Sequence, residues 1–347
     1  MNRFEHGGRT HNTKIKLDFS VNINPLGMPE SVKKSLIDGI DNFSAYPDTD
    51  CTELVKKLVL HENIRAESIV CGNGAADLIY RIVYAVKPKK ALLISPTFSE
   101  YEKALCEAGC EIEYCMLSEK NNFAPNDQLL DSITSDIDIL FLCNPNNPVG
   151  NVIDTALMKM AADKCAEKNI LLAVDECFMD FVSDGEMYSA KPYLNGRMVI
   201  LKAFTKTYAM AGLRLGYALF GDEAFAEKIR HTGQCWSIST PAQLAGIAAL
   251  NEKEYLTKSV ELISAEREYM SSALKKIGFK AYPSATNFLL FRSDIPLEKK
   301  LAEQGIAIRS CENYRGLDER YYRTAVRLHN ENETLVKALE RITELYN

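Results

Sequence analysis

The chain predicts an α/β protein: a large, mostly parallel sheet with helices on both faces, followed by a smaller α+β unit. Three observations point there. Apolar runs of strand length alternate with helix-length segments through the first two thirds of the chain. The pattern then changes to shorter strands and helices. The length, 347 residues with 46% hydrophobic and 25% charged, is enough for two cores of an ordinary globular protein.

Taken in order, the spacing predicts a strand over 91–95 and a helix over 99–108, then a strand over 138–143 and a helix over 155–168. Strands follow over 170–175, 198–201 and 215–220, and a helical segment over 241–276. Beyond it, strands over 287–292, 307–309 and 322–327 mix with helices over 297–303 and 333–346. We expect residues 1–40 to form an arm joining the small domain, 41–245 the large ligand-binding domain and 246–347 the small domain, with a cleft between the two.

Bulk properties exclude several classes. A net charge of -6 offers neither a basic surface for nucleic acid nor a polybasic membrane signal, while local arginines still suit a small anionic substrate. The opening Met1-Asn2-Arg3-Phe4-Glu5 lacks the apolar core of a secretory signal, and no apolar run reaches the roughly 18 residues of a membrane span. The 10 cysteines contain no C-x-x-C pair, and the 5 histidines show no ligand spacing. Reduced, mostly buried thiols in the cytoplasm and no metal are expected, with Cys106, Cys110 and Cys115 as packing residues.

Four segments carry chemistry. Leu201-Lys202-Ala203-Phe204-Thr205-Lys206 leaves an apolar run, and Arg214 follows. A lysine among apolar and hydroxyl neighbours loses its proton more easily and becomes a nucleophile toward a carbonyl. Thr205 and Arg214 are donor types suited to a phosphate. An aldehyde-reactive lysine beside a phosphate site is what pyridoxal phosphate (PLP) requires. Most lysines are solvated charges, so the reading depends on company.

That company is present. Asp175 ends the apolar run over 170–174, where ligands of open α/β sheets collect, and an ionised Asp there suits a pyridine nitrogen. A helix cap is the commoner use of such a residue, and Glu176 reads as structural. Cys143-Asn144-Pro145-Asn146-Asn147-Pro148 forces an extended turn that lets Asn147 donate to the cofactor's phenolic oxygen, although such turns are usually ordinary loops. Cys71-Gly72-Asn73-Gly74-Ala75-Ala76-Asp77 opens a helix whose first N–H groups suit an anion. It is neither a G-x-G-x-x-G fingerprint nor a P-loop, so it becomes a phosphate cradle only alongside Lys206 and Arg214.

In this order the four segments resemble fold-type I PLP-dependent enzymes. They look most like the small group containing histidinol-phosphate aminotransferase and the threonine-phosphate decarboxylase of cobalamin biosynthesis. The resemblance implies that Lys206 carries the covalent link to the cofactor aldehyde, Asp175 pairs with the pyridinium and Asn147 bonds the phenolic oxygen. Gly74, Ala75, Ala76, Thr205 and Arg214 would hold the phosphate and Phe98 would stack on the ring. Tyr46, in Tyr46-Pro47-Asp48, would cross a homodimer interface to the neighbouring cofactor phosphate. Two positions depart from the pattern: Phe178 stands where many relatives have Tyr, and Ala203 where they often have a hydroxyl.

The opening His6-Gly7-Gly8 and the stretch Ile308-Arg309-Ser310-Cys311-Glu312-Asn313-Tyr314 resemble the decarboxylase, and the aminotransferases less. A substrate with a carboxylate and a phosphate needs two cationic anchors, for which Arg forks suit. By the family match Arg323 meets the carboxylate. Arg309 is the candidate for the substrate phosphate, with His6, Gly7, Gly8 and Asn22 closing over it and Asn147 nearby. Arg327, two strand periods from Arg323, is the alternative for either anion. The resemblance thus implies decarboxylation of L-threonine O-3-phosphate to (R)-1-amino-2-propanol phosphate, with phosphoserine as an alternative substrate. Orientation of the carboxylate decides between loss of CO₂ and transamination, and residue types alone leave both open. A non-catalytic PLP-fold binding protein is the third reading.

Overall fold

A computed structural model describes residues 4–8 and 14–346. Its strands are β1 (Leu17–Asp18), β2 (Ile69–Gly72), β3 (Lys90–Ser95), β4 (Glu111–Met116), β5 (Ile139–Cys143), β6 (Leu171–Asp175) and β7 (Met198–Ala203). They continue with β8 (Gly216–Phe220), β9 (Lys280–Ala281), β10 (Phe288–Arg292), β11 (Ile306–Ala307), β12 (Arg309–Ser310) and β13 (Tyr321–Ala325). Seven form one sheet in the order β2-β8-β7-β6-β5-β3-β4. From β4 to β7 the pairs are parallel, and β8 runs antiparallel to both β7 and β2.

The central strands are apolar at successive positions because both faces are covered. Alternate residues divide between two cores: Leu140, Leu142, Leu172, Val174 and Ile200 on one face, Ile139, Phe141, Leu171, Ala173 and Val199 on the other. In register, Cys143, Asp175 and Leu201 lie side by side, so the chemistry that follows each strand emerges along one edge.

A four-stranded antiparallel sheet, β12-β13-β10-β9, forms the small unit. The helices Lys253–Ile277 and His329–Glu344 pack Met270, Leu274, Leu335 and Leu339 against its Leu289 and Phe291. β1 pairs in parallel with β11, and Phe19 joins this core while Val32 joins the large one. Residues of the arm thus serve both units.

Several expectations needed correction. The segment 241–276 is two helices, Thr240–Ala249 and Lys253–Ile277, because the backbone around Asn251 tightens into shorter turns. The strand expected over 307–309 splits between two sheets, since Ala307 pairs with Asp18 and Arg309 with Arg323. The last strand stops at Ala325, so Arg327 lies beyond it and shares no strand face with Arg323. Two members of the large sheet, β2 and the edge strand β4, were unexpected. None of the 10 cysteines is in a disulfide and seven are buried, but Cys106 is exposed rather than packed. Among the described residues no helix is long and apolar enough to cross a membrane, and no cluster of His, Cys, Asp and Glu could hold a metal.

Candidate active site

A cavity of about 360 Å³ opens where β5, β6 and β7 end and the small unit faces them. β7 finishes at Ala203, and a single helical turn, Phe204–Thr207, carries Lys206 into the cavity. The arm braces that turn: the Asn24 N–H donates to the Lys206 carbonyl (3.1 Å) and its amide to the Thr207 carbonyl (2.8 Å). Burial first, and then the positive charges of Arg323 and Arg214, push the Lys206 amine down to about 8, against the opposing pull of Cys177 and Asp175. Near neutrality, therefore, an appreciable fraction is the free nucleophile.

The cradle lies beside it. Gly74 adopts φ +80°, which side chains rarely take, and a Cβ there would come within 2.6 Å of Arg214 Nη2, so a larger residue would strain the backbone and push the guanidinium aside. No side chain caps the helix Ala75–Val86, and Ala75, Ala76, Thr205 and Arg214 all line the cavity. That set suits a phosphate.

Asp175 is buried, with both oxygens occupied. The Tyr101 hydroxyl donates to Oδ2 at 2.5 Å and the Cys177 N–H to Oδ1 at 3.0 Å. Glu176 turns away, accepting from the Ser189 hydroxyl and the Ala190 N–H, which bears out its structural reading. The Asn147 Oδ1 accepts from Arg323 Nη1 (2.5 Å) and the Tyr314 hydroxyl (3.3 Å), leaving the NH₂ as donor for another group. Phe98, Phe178 and Ala203 also line the cavity.

Arg309 and Arg323 are cross-strand partners on β12 and β13, and both reach the cavity. Arg323 Nη2 donates to the Ser20 carbonyl (2.8 Å), while its Nε is buried without a hydrogen-bond partner. Arg309 donates to Asn313 Oδ1 (2.8 Å) and to the Glu5 carbonyl. His6 Nε2 meets Glu100 Oε1 at 2.6 Å, and the Tyr80 hydroxyl donates to the other Glu100 oxygen at 3.0 Å. Gly7 permits close passage over Ser20, whose carbonyl would lie 2.4 Å from a Cβ, and the Gly8 N–H donates to the Ser20 hydroxyl (2.9 Å). Asn22 lines the cavity with its Oδ1 unpartnered.

Two candidates lie elsewhere. Arg327 donates to Glu331 and the Asp18 carbonyl outside the cavity lining. Tyr46 is 79% exposed and stacks on Trp236 at 4.4 Å between ring centroids. Sequence reasoning missed Tyr101, Glu100, Tyr314 and Cys177. The first two follow Phe98 within one helical turn, and Tyr314 closes a stretch already singled out, so local spacing around those segments was the available signal.

The donors present fit PLP: an uncapped helix start with Arg214 for its phosphate, a buried acid for its ring nitrogen, and a lysine of lowered basicity for its aldehyde. Comparisons with known proteins agree. Residues 14–342 match the family model described as aminotransferase class I and II. The chain is 40% identical over 330 residues to the threonine-phosphate decarboxylase of Salmonella typhimurium, covering 94% of this chain and 91% of that protein. The solved histidinol-phosphate aminotransferase of Clostridium acetobutylicum is 31% identical with a TM-score of 0.88, over 95% of this chain and 99% of that one. The histidinol-phosphate aminotransferase of Sinorhizobium meliloti in complex with pyridoxal-5'-phosphate, 21% identical, shares the fold at a TM-score of 0.88 over 98% of this chain and 94% of its own. With a family model matched along nearly its whole length and a relative 40% identical across 94% of it, the chain belongs to the class I and II aminotransferase family and is a pyridoxal phosphate enzyme.

Proposed function

We propose that the chain decarboxylates L-threonine O-3-phosphate to (R)-1-amino-2-propanol phosphate, a building block of the cobamide nucleotide loop. The observation that carries the reading is the cross-strand pair Arg309 and Arg323, two guanidiniums in one cavity with Lys206. A substrate bearing two anions at opposite ends matches two such forks. The 40% identity to a threonine-phosphate decarboxylase supports the same choice.

Once bound, PLP supplies an electron sink for the pair left when a bond to the substrate's α-carbon breaks. The chain's own groups do the rest. Arg323, fixed by Asn147 and Ser20, holds the carboxylate and so sets the angle of the bond that breaks. Arg309 takes the substrate phosphate, with His6 and Asn22 closing over it and Gly7 and Gly8 letting the arm lie flat. Lys206, with its lowered basicity, holds the proton that Cα receives after CO₂ leaves. Phe178, in place of a second phenol, leaves the phenolic oxygen of the cofactor to Asn147. The arm, large and small domains divide at about 40 and 245, and the protein acts as a cytoplasmic homodimer.

Assaying CO₂ and amine product from threonine phosphate and from serine phosphate tests this. A 1:1 yield of CO₂ and amino alcohol phosphate is expected. A keto acid formed only when an amino acceptor is added makes the chain an aminotransferase instead, and binding of PLP without either product makes it a binding protein.

A further inference from the structure

The acid expected beneath the cofactor nitrogen does not stand alone. Tyr101 is fully buried, and its hydroxyl approaches Asp175 Oδ2 at 2.5 Å. The ring is held on two sides. It stacks on Phe141 at 5.1 Å and 9°, and meets the edge of Phe98 at 5.6 Å and 82°. Phe141 belongs to β5, Asp175 to β6, and Tyr101 to the helix Ser99–Glu107, so one side chain ties three elements together at the end of the sheet.

We infer that Tyr101 is a positioning residue: its phenol fixes the plane of the Asp175 carboxylate that meets the cofactor's ring nitrogen. The assignment rests on the reading of Asp175 as the pyridinium partner. A carboxylate at a strand end can rotate about its last bond. Here a phenol on one oxygen and the Cys177 N–H on the other leave it a single plane. The phenol acts only as donor, because burial and the neighbouring Asp175 charge raise its pKa well above the ordinary tyrosine value. Cys143 and Cys177 also interact with Asp175, but a thiol is a weak donor and does not replace the phenol, and the Lys206 amine that feels the same charge is the group read as meeting the aldehyde. Through Phe98, the same ring also supports the side chain expected on the cofactor's face, which links ring stacking to ring protonation.

The test compares Tyr101→Phe, Phe141→Leu and Asp175→Asn holoenzymes. Tyr101→Phe deletes one oxygen and keeps the stack, whereas Phe141→Leu removes the stack and keeps the hydroxyl. Loss of a hydrogen bond to a charged group predicts about a tenfold rise in the PLP dissociation constant for Tyr101→Phe. The pH titration of the bound cofactor's absorbance shifts with it, and KM for substrate stays near the wild-type value. Phe141→Leu is expected to leave that titration unmoved. If Tyr101→Phe changes neither affinity nor titration while Asp175→Asn changes both, Tyr101 is a packing residue and the inference fails alone. An equal shift in Phe141→Leu overturns it in the same way. Should Asp175→Asn also change nothing, the reading of Asp175 falls and takes this inference with it.

Discussion

Lys206 stores a cost that the fold imposes for the sake of chemistry. Its amine sits at about 8, against an ordinary 10.5. Below about pH 8 both folded and unfolded chains carry the proton, and folding bears the full cost of burying it. Between 8 and 10.5 the folded amine is neutral while the unfolded one is charged, so stability climbs with pH, and above that range the cost is gone. Cofactor-free Lys206→Met is therefore expected to be more stable than the parent by about 1–3 kcal/mol at pH 7. That gain should shrink as pH rises from 8 toward 10, as read by urea denaturation. Equal stabilities at pH 7 would place the amine in water. Gly74→Ala makes a second residue-scale case. The new Cβ would meet Arg214 Nη2 at 2.6 Å in a left-handed backbone, so PLP affinity is expected to fall about tenfold, measured by absorbance titration. The principal site residues were legible because their residue types announce their chemistry. Lys206, Asp175, Asn147 and the Gly74–Ala76 turn each end or follow an apolar run, and the cavity contains or borders all of them. Tyr101 and Glu100 were not legible, because a buried phenol and a first-turn acid are ordinary parts of an amphipathic helix until their partners are known.

At the scale of elements, the segment 4–8 is laced across the cavity by contacts from both units. Arg309 and Asn313 hold the Glu5 carbonyl, Ser20 holds Gly8, and Glu100 holds His6. Glu100 is a carboxylate lining a cavity read as taking two anions, and there its two oxygens are taken up by His6 and the Tyr80 hydroxyl. The His6 hydrogen bond, ahead of that from Tyr80, lowers its pKa despite burial. Glu100→Gln is expected to loosen the strap and raise KM for the phosphorylated substrate several-fold with little change in kcat. His6→Ala should do the same, and the double variant should add little to either single one, because the two side chains act as one contact. Steady-state kinetics on the four proteins checks it, and fully additive effects would sink it. The elements themselves were readable where burial on both faces made the apolar runs continuous, as in β5, β6 and β8. β4 escaped because an edge strand reads Glu-Ile-Glu-Tyr-Cys-Met with exposed residues interspersed, and β2 because it is four residues long and runs directly into a glycine turn. The split of 307–309 was invisible for another reason. Which sheet a two-residue strand joins depends on its partner, and here Ala307 pairs with Asp18, nearly 300 residues earlier, while Arg309 pairs with the nearby Tyr321–Ala325.

For the whole molecule, the telling surface is the stretch from Ile37 to Tyr46. Ile37 and Ile40 are 71% and 61% exposed, Phe43 is partly so, and Tyr46 stands 79% exposed against a half-exposed Trp236. Apolar side chains concentrated in this way favour burial against another protein surface, and a second copy of the chain is the partner the family resemblance implies. Tyr46 lines no part of its own chain's cavity, so a role at a cofactor phosphate requires the neighbour's site. Two separable outcomes follow. Ile40→Asp puts a charge into the patch and is expected to shift the protein from dimer to monomer in sedimentation, with loss of PLP affinity in parallel. Tyr46→Phe keeps the ring and its stacking on Trp236, so the dimer should persist while PLP affinity drops several-fold through the lost hydroxyl. If Tyr46→Phe binds PLP like the parent, the hydroxyl does not reach a neighbour's phosphate. If Ile40→Asp sediments like the parent, this stretch is not the interface.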